Sequence, residues 1–440
     1  MIKKAGITII VLLLLLSISM PLNIRSKLSH DIRLFEGQEH LLSLELPINI
    51  YIKADKAGII SINGSPVSID EYSRLLLRND LSLSGLTSGI VNLEFSLFNG
   101  LIPIRELTVN VLPEKQVYPG GHSIGIKLHE EGVIVAGYYY IKEEQGDGDD
   151  YFSPAELAGV KVGDIILSLN GQTLKDIDRA ASIIKREAAS NRPLHLMIKR
   201  KHETFRLTLE PHLCPEALEY RIGLYIRDTA AGVGTLTFYD LETGFYGALG
   251  HVITDIDTNV ALEINEGVIV QADVVNIKMA QRGQPGEKAG IFREGQNILG
   301  SIQKNTISGI YGQLKDIDNL GTFMTPHTEP LPVALAFQVE NGPAEMLTVL
   351  EGNRIQSFMV QIERASIQNK AGDKGMVIRI VDEHLLELTG GIVQGMSGSP
   401  IIQNGRIVGA VTHVFVNDPA RGYAIYAEWM LQESGIFPSS

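Results

Sequence analysis

The sequence predicts a mainly β, multidomain protein with a membrane segment in front. Three observations carry that expectation: 440 residues are too many for one core, short alternating apolar runs recur between Gly and Asn turns, and one long apolar stretch lies behind two lysines. The formal charge of -13, from 51 acidic against 38 basic residues, comes without any basic block or interleaved aromatics. That balance argues against nucleic acid as a partner. Cys214 is the single cysteine and cannot close an internal disulfide; with only Leu213 and Pro215 beside it, an inert thiol is expected.

Lys3 and Lys4 precede the apolar run from Ala5 to Met20, which includes Leu12 to Leu16 and is closed by Pro21. With no Ala-x-Ala site after it, segment 1–22 is read as an uncleaved membrane anchor in preference to a cleaved export signal. Residues 34–112 alternate in short runs such as Ile59-Ile60-Ser61-Ile62 and Leu107-Thr108-Val109-Asn110-Val111, broken at Asn63-Gly64 and Asn99-Gly100. A small β-domain follows from that pattern, and nothing in it suggests chemistry.

In the next unit, 113–212, the run Ala158-Gly159-Val160-Lys161-Val162-Gly163-Asp164-Ile165-Ile166-Leu167-Ser168-Leu169-Asn170-Gly171 resembles the turn, strand and hairpin of a PDZ domain. Asp176 to Ala189 reads as an amphipathic helix, with Ile177, Ala180, Ala181 and Ile184 at helical spacing, and the strands Leu194 to Lys199 and Thr204 to Leu209 follow. The resemblance implies a peptide added as a strand beside that helix, its carboxylate held by a glycine-containing loop. Ser123-Ile124-Gly125-Ile126 is the expected peptide-binding loop, although it departs from the familiar Gly-Leu-Gly-Phe pattern.

Residues 213–440 are rich in short strands: Gly234 to Tyr239, Val268 to Ile277, Pro332 to Val339, Arg354 to Glu363 and Met376 to Ile380. Gly and Asn turns separate many of them, which predicts a two-lobed β-barrel domain. Its informative segments are Gly390-Gly391-Ile392-Val393-Gln394-Gly395-Met396-Ser397-Gly398-Ser399-Pro400 and Gly247-Ala248-Leu249-Gly250-His251. Glycines beside a serine let the backbone turn sharply and aim amides at a developing oxyanion, while a distant histidine can act as general base. The run Ile401 to Val411 then reads as strand, Asn404-Gly405 hairpin, strand, as in chymotrypsin-like peptidases after their serine.

The stretch from Lys374 to Leu431 resembles the SpoIVB peptidase family, and the order of membrane segment, PDZ domain and peptidase domain is similar to that family over most of the chain. The resemblance implies Ser397 as nucleophile, His251 as base and Asp382 as the third triad member; in the acyl transfer expected of them, the amides around Gly395, Met396 and Ser397 hold the oxyanion. Asp255, Asp257 and Asp273 stay open as rivals of Asp382, and Ser399, placed directly before Pro400, is expected to serve the turn. Met396 stands where many trypsin-like enzymes carry an activating aspartate. The resemblance further implies an exported protease in the intermembrane space of the forespore. There it would cleave itself and a regulatory membrane protein that restrains an intramembrane protease, which triggers processing of pro-sigma-K. A PDZ-based adaptor with an inactive peptidase domain is the alternative.

No metal or cofactor is expected. Gln145-Gly146-Asp147-Gly148-Asp149-Asp150 reads as a surface insertion; Asp255-x-Asp257-x-Asn259 with Glu266 copies an EF-hand but has Val260 where the turn needs glycine; Gly283-Gln284-Pro285-Gly286-Glu287-Lys288 has the wrong spacing for a phosphate loop.

Overall fold

The computed structural model describes residues 31–42, 49–67, 69, 72–76, 81–142, 151–201, 203–255, 259–264, 266–291, 298–315, 325–366, 368 and 370–436. The anchor expected over 1–22, the 145–150 insertion and Asp257 lie outside them. Among the described residues, no helix is long and apolar enough to cross a membrane.

The chain divides into two compact units, 1–115 and 116–440. The first is a β-sandwich. A five-stranded sheet runs in the order Asp31–Phe35, Ile102–Leu112, Gly89–Leu97, Asn49–Ala54, Ser73–Leu76, and a four-stranded sheet is built on Leu81–Gly85. Alternation decides which faces meet: Ile50, Ile52, Val91, Leu93 and Phe95 of the first sheet pack with Ile60, Ile62, Leu81 and Leu83 of the second in one buried cluster.

In the second unit, six strands form a closed ring: β1 (Ser123–Tyr138), β2 (Leu224–Tyr239), β3 (Phe245–Ala248), β4 (Glu266–Gln271), β5 (Ile298–Thr306) and β6 (Gly309–Leu314). They pair in the order β1-β2-β3-β6-β5-β4, and β4 pairs back with β1. A second six-stranded barrel is made of β7 (Gly342–Val349), β8 (Ile355–Ala365), β9 (Met376–Ile380), β10 (Pro400–Gln403), β11 (Arg406–Val414) and β12 (Arg421–Tyr426), ordered β7-β8-β9-β12-β11-β10. The expected two-lobed β-barrel is therefore observed, and both lobes share one strand order.

The PDZ domain is inserted between β1 and β2. Each of these strands is 16 residues long and serves two cores. The first part of β1, Ile124 to His129, pairs with β4, whereas Val133 and Val135 enter the PDZ core with Ile166, Leu169, Ala180, Ile183, Leu196 and Ile198. Gly132 marks the changeover: its φ is +114°, and a Cβ there would meet the Ile166 carbonyl oxygen at 2.4 Å. Strand β2 returns from the PDZ core, where Leu224 and Ile226 pack, into the barrel.

This topology corrects the expected peptide-binding loop. Ser123, Ile124, Gly125 and Ile126 are buried in barrel strand β1, paired on one side with Thr235 to Gly232 and, from Ile124, on the other with Gln271 to Ile269. A strand held on both edges has no free row of amides to offer a carboxylate. The PDZ helix α1 (Ile177–Ala189) starts on Asp176, whose carboxylate accepts from the Arg179 amide at 2.7 Å. Ala180, Ile183 and Ala188 turn into the core, while Ile177, Ala181 and Ile184 line a groove of about 930 Å³ facing residues 218–226. Arg221-Ile222-Gly223-Leu224 supplies the glycine-containing loop there, with Gly223 at φ +75°.

Candidate active site

His251 lies just beyond β3, on a turn in which Leu249 and Gly250 both have positive φ, +67° and +72°. The turn packs against the second barrel: a Cβ on Gly250 would meet Ile425 Cγ2 at 2.9 Å and Thr412 Cγ2 at 3.0 Å. The imidazole Nδ1 is 2.8 Å from the Val252 carbonyl oxygen. A carbonyl only accepts, so the proton sits on Nδ1 and leaves the Nε2 lone pair free to receive one. Burial pushes the His251 pKa below its ordinary value, opposed by the Val252 carbonyl and the charge of Asp373.

Ser397 lies between helix α2 (Glu383–Thr389) and β10 and is partly exposed. Its backbone is fixed from the first barrel, since the Thr235 amide donates to the Ser397 carbonyl at 2.9 Å and the hydroxyls of Thr235 and Thr237 donate to Gly395 and Gly398 carbonyls at 2.8 Å each. Gly398, at φ +92°, has no room for a side chain: a Cβ would stand 2.0 Å from the Thr235 carbonyl oxygen and 2.5 Å from the Leu249 nitrogen. Thus the serine turn of barrel two touches the histidine turn of barrel one. The Ser397 hydroxyl donates to the Thr412 carbonyl at 2.9 Å.

The amides of Gly395 and Ser397 have no acceptor among the described residues, whereas the Met396 amide donates to the Val393 carbonyl at 3.1 Å. Of the three expected oxyanion donors, Met396 is thereby withdrawn and the other two remain available. Met396 itself is fully buried and apolar, so no ion pair forms at that place. Ser399 is fully buried and donates to Thr348 Oγ1 at 3.1 Å, which keeps it out of reach as a nucleophile.

The expected acid, Asp382, is engaged elsewhere. It is the N-cap of α2, accepting from the Leu385 amide at 3.0 Å and from the Met359 amide at 3.3 Å. The carboxylate whose charge His251 feels is Asp373, at the other end of β9; a five-residue strand and its flanks hold the two ends on the order of 15 Å or more apart. Asp373 lies 3.7 Å from His413 Nδ1, the His413 ring stands 5.0 Å from that of His251, and the Asp373 carbonyl accepts from the Thr412 hydroxyl at 2.7 Å. Of the rivals, Asp255 is buried in an ion pair with Arg227, and Asp273 opens the 273–291 hairpin, paired with Ile291. Sequence reasoning passed over Asp373 and His413 because neither sits in a motif; only the pairing of β9 with β12, and of β12 with β11, brings them to the histidine.

Residues 218–431 match the family model of the SpoIVB peptidase S55. This part of the chain belongs to that family. It is a serine peptidase domain, and residues 152–200 match a PDZ domain model. A Thermotoga maritima protein named as a zinc metalloprotease is 32% identical over 127 residues, 29% of this chain, and the chain spans only 21% of that relative's length. Among solved structures, the Rv3671c protease from M. tuberculosis is similar in its active form, at 16% identity and TM-score 0.25 over 47% of this chain and 75% of that one. Its inactive form gives 16% identity and TM-score 0.23 over 46% and 84%.

Proposed function

We propose that the chain is an exported serine endopeptidase of sporulation that cleaves itself and a membrane-bound regulator of an intramembrane protease, and so triggers processing of pro-sigma-K in the forespore. Membership of the SpoIVB family supports the pathway. One observation supports the chemistry: the turn of a partly exposed serine, whose neighbouring Gly395 and Ser397 amides have no acceptor among the described residues, packs against the turn that carries His251, whose Nδ1 is bonded to a carbonyl.

In the proposed reaction, Ser397 rotates from the Thr412 carbonyl and gives its proton to His251 as it attacks a peptide carbonyl. The Gly395 and Ser397 amides receive the oxyanion; His251 returns the proton to the leaving amine, and water releases the acyl-enzyme. Asp373, acting across His413, favours the imidazolium that forms. The PDZ groove between α1 and 218–226 receives a peptide strand from the substrate or from the chain's own N-terminal region.

Ser397→Ala tests the reading. Mass spectrometry of the exported fragment should lose the self-cleaved species, and an alkyl fluorophosphonate should no longer label the protein. Labelling that persists in Ser397→Ala and vanishes in Ser399→Ala sinks the assignment; absence of self-cleavage in the wild type leaves the adaptor reading.

A further inference from the structure

Lys288 is a charged-type side chain placed where no solvent reaches. It is 1% exposed, and among the described residues no carboxylate lies within ion-pair distance. It lies on the second strand of the 273–291 hairpin, Glu287–Ile291, and the hairpin is laced to the nucleophile turn: the Lys288 amide donates to the Gln394 carbonyl, and the Gln394 amide donates to the Gly286 carbonyl, each at 2.9 Å. The side chain then runs beneath Gly395. A Cβ added to Gly395 would stand 3.1 Å from Lys288 Cβ, 3.2 Å from Cδ and 3.4 Å from Cγ, so the aliphatic stem is the floor on which that glycine rests at φ +94°.

At its end, Nζ donates to Thr348 Oγ1 at 2.6 Å, and the same oxygen accepts from the Ser399 hydroxyl at 3.1 Å. Thr348 is on β7 and Ser399 is two residues past the nucleophile; both are fully buried. One side chain therefore supports the turn before Ser397 and, through one hydroxyl, the turn after it. An unbranched apolar residue would fill the same channel without the cost of burying an amine, so the amine is explained by what it holds.

We propose that Lys288 is a positioning residue for acyl transfer, holding the Gly395 and Ser397 amides in line with the oxyanion through its stem under Gly395 and its bond to the Thr348–Ser399 hydroxyl pair. The inference rests on Ser397 being the nucleophile. Desolvation lowers the amine's pKa to about 7, which lets it sit in this channel largely without a counter-charge near neutral pH.

The full-length chain and its Lys288→Met, Thr348→Val and Thr348→Ser variants are compared by the kinetics of labelling with an alkyl fluorophosphonate, with Ser397→Ala as control. Misplacement of an oxyanion donor by about 1 Å costs about 10²-fold, so Lys288→Met should lower the maximal labelling rate by roughly that factor and Thr348→Val by about tenfold. Thr348→Ser, which restores the hydroxyl, should stay within about twofold of wild type, and half-saturating probe concentration should not change. Folded Lys288→Met or Thr348→Val protein that labels at the wild-type maximal rate, or a loss confined to probe affinity, overturns the proposal. If Lys288→Met does not fold, the contrast of Val with Ser at position 348 decides. A wild type that is not labelled at Ser397 removes the nucleophile assignment and this inference with it, whereas labelling at Ser397 unaffected by the variants removes this inference alone.

Discussion

The two barrels of the peptidase share a strand order but differ in their connections. Barrel two links its first two strands by the short turn at 350–354, whereas barrel one links β1 and β2 through an entire PDZ domain. Barrel one ends β3 in the histidine turn, and barrel two precedes β10 with the serine turn. Strand order is dictated by which apolar faces must close on each other; connection length is not, because loop-closure entropy grows only slowly with length. A PDZ unit can enter at one loop because it extends the same two strands and supplies its own core. The serine and histidine turns are then set by close backbone approach between the barrels, which tolerates no such freedom.

The sharpest way to break that approach is Gly398→Ala. The added Cβ meets the Thr235 carbonyl oxygen at 2.0 Å and the backbone is left-handed, so the barrels must part. A stability loss of about 2 kcal/mol or more in denaturant titration and loss of fluorophosphonate labelling are expected. The comparison with Gly405→Ala is informative, since that glycine has open space around it and only a positive φ, and a loss of about 1 kcal/mol with labelling kept is expected there.

The next largest effect separates the two aspartates at the ends of β9. Asp373→Asn should cut turnover by about 10²-fold with unchanged stability, less than the roughly 10⁴-fold seen where an acid bonds the histidine directly. Asp382→Ala should instead lower stability by about 1 kcal/mol through loss of the α2 cap and spare turnover per folded molecule. Full turnover in Asp373→Asn together with an inactive, stable Asp382→Ala would return the acid to the position the family resemblance implied.

Two smaller effects concern pH. The proposed base works unprotonated, and burial lowers the His251 pKa, so labelling should persist to a lower pH than an ordinary histidine of about 6.5 allows. An acid limb at or above 6.5 would contradict the burial. Lys288 acts on stability with the opposite chemical sense. Its folded pKa, about 7, lies below the unfolded value of about 10.4, so between those limits the unfolded chain binds the extra proton and stability rises with pH; below about 7 the full cost of the buried charge is present and the slope vanishes. Melting temperature should climb from pH 7 to 10 relative to Lys288→Met, and parallel curves would show the amine to be hydrated.

Local chemistry written in the chain determined much of this molecule. Alternating apolar runs predicted sheets, Asp176 announced its helix, Asn404-Gly405 turned the hairpin after the serine, and Gly-Met-Ser-Gly-Ser-Pro with Gly-His marked the two halves of the site, because each depends on residues within a few positions of one another. What depended on non-local pairing was not legible. Ser123 to Ile126 looked like a ligand loop until β2 and β4 occupied both its edges, and Arg221 to Leu224 came after the PDZ strands, in an order that hid its relation to α1. Asp382 was the acid the family resemblance implied and Asp373 stood in no motif, and a strand's length of separation decides which one His251 feels. Lys288 lay in a segment dismissed as a failed phosphate loop; its role arises only where hairpin, β7 and nucleophile turn close over it, since burial and hydrogen-bond partners are properties of the folded chain.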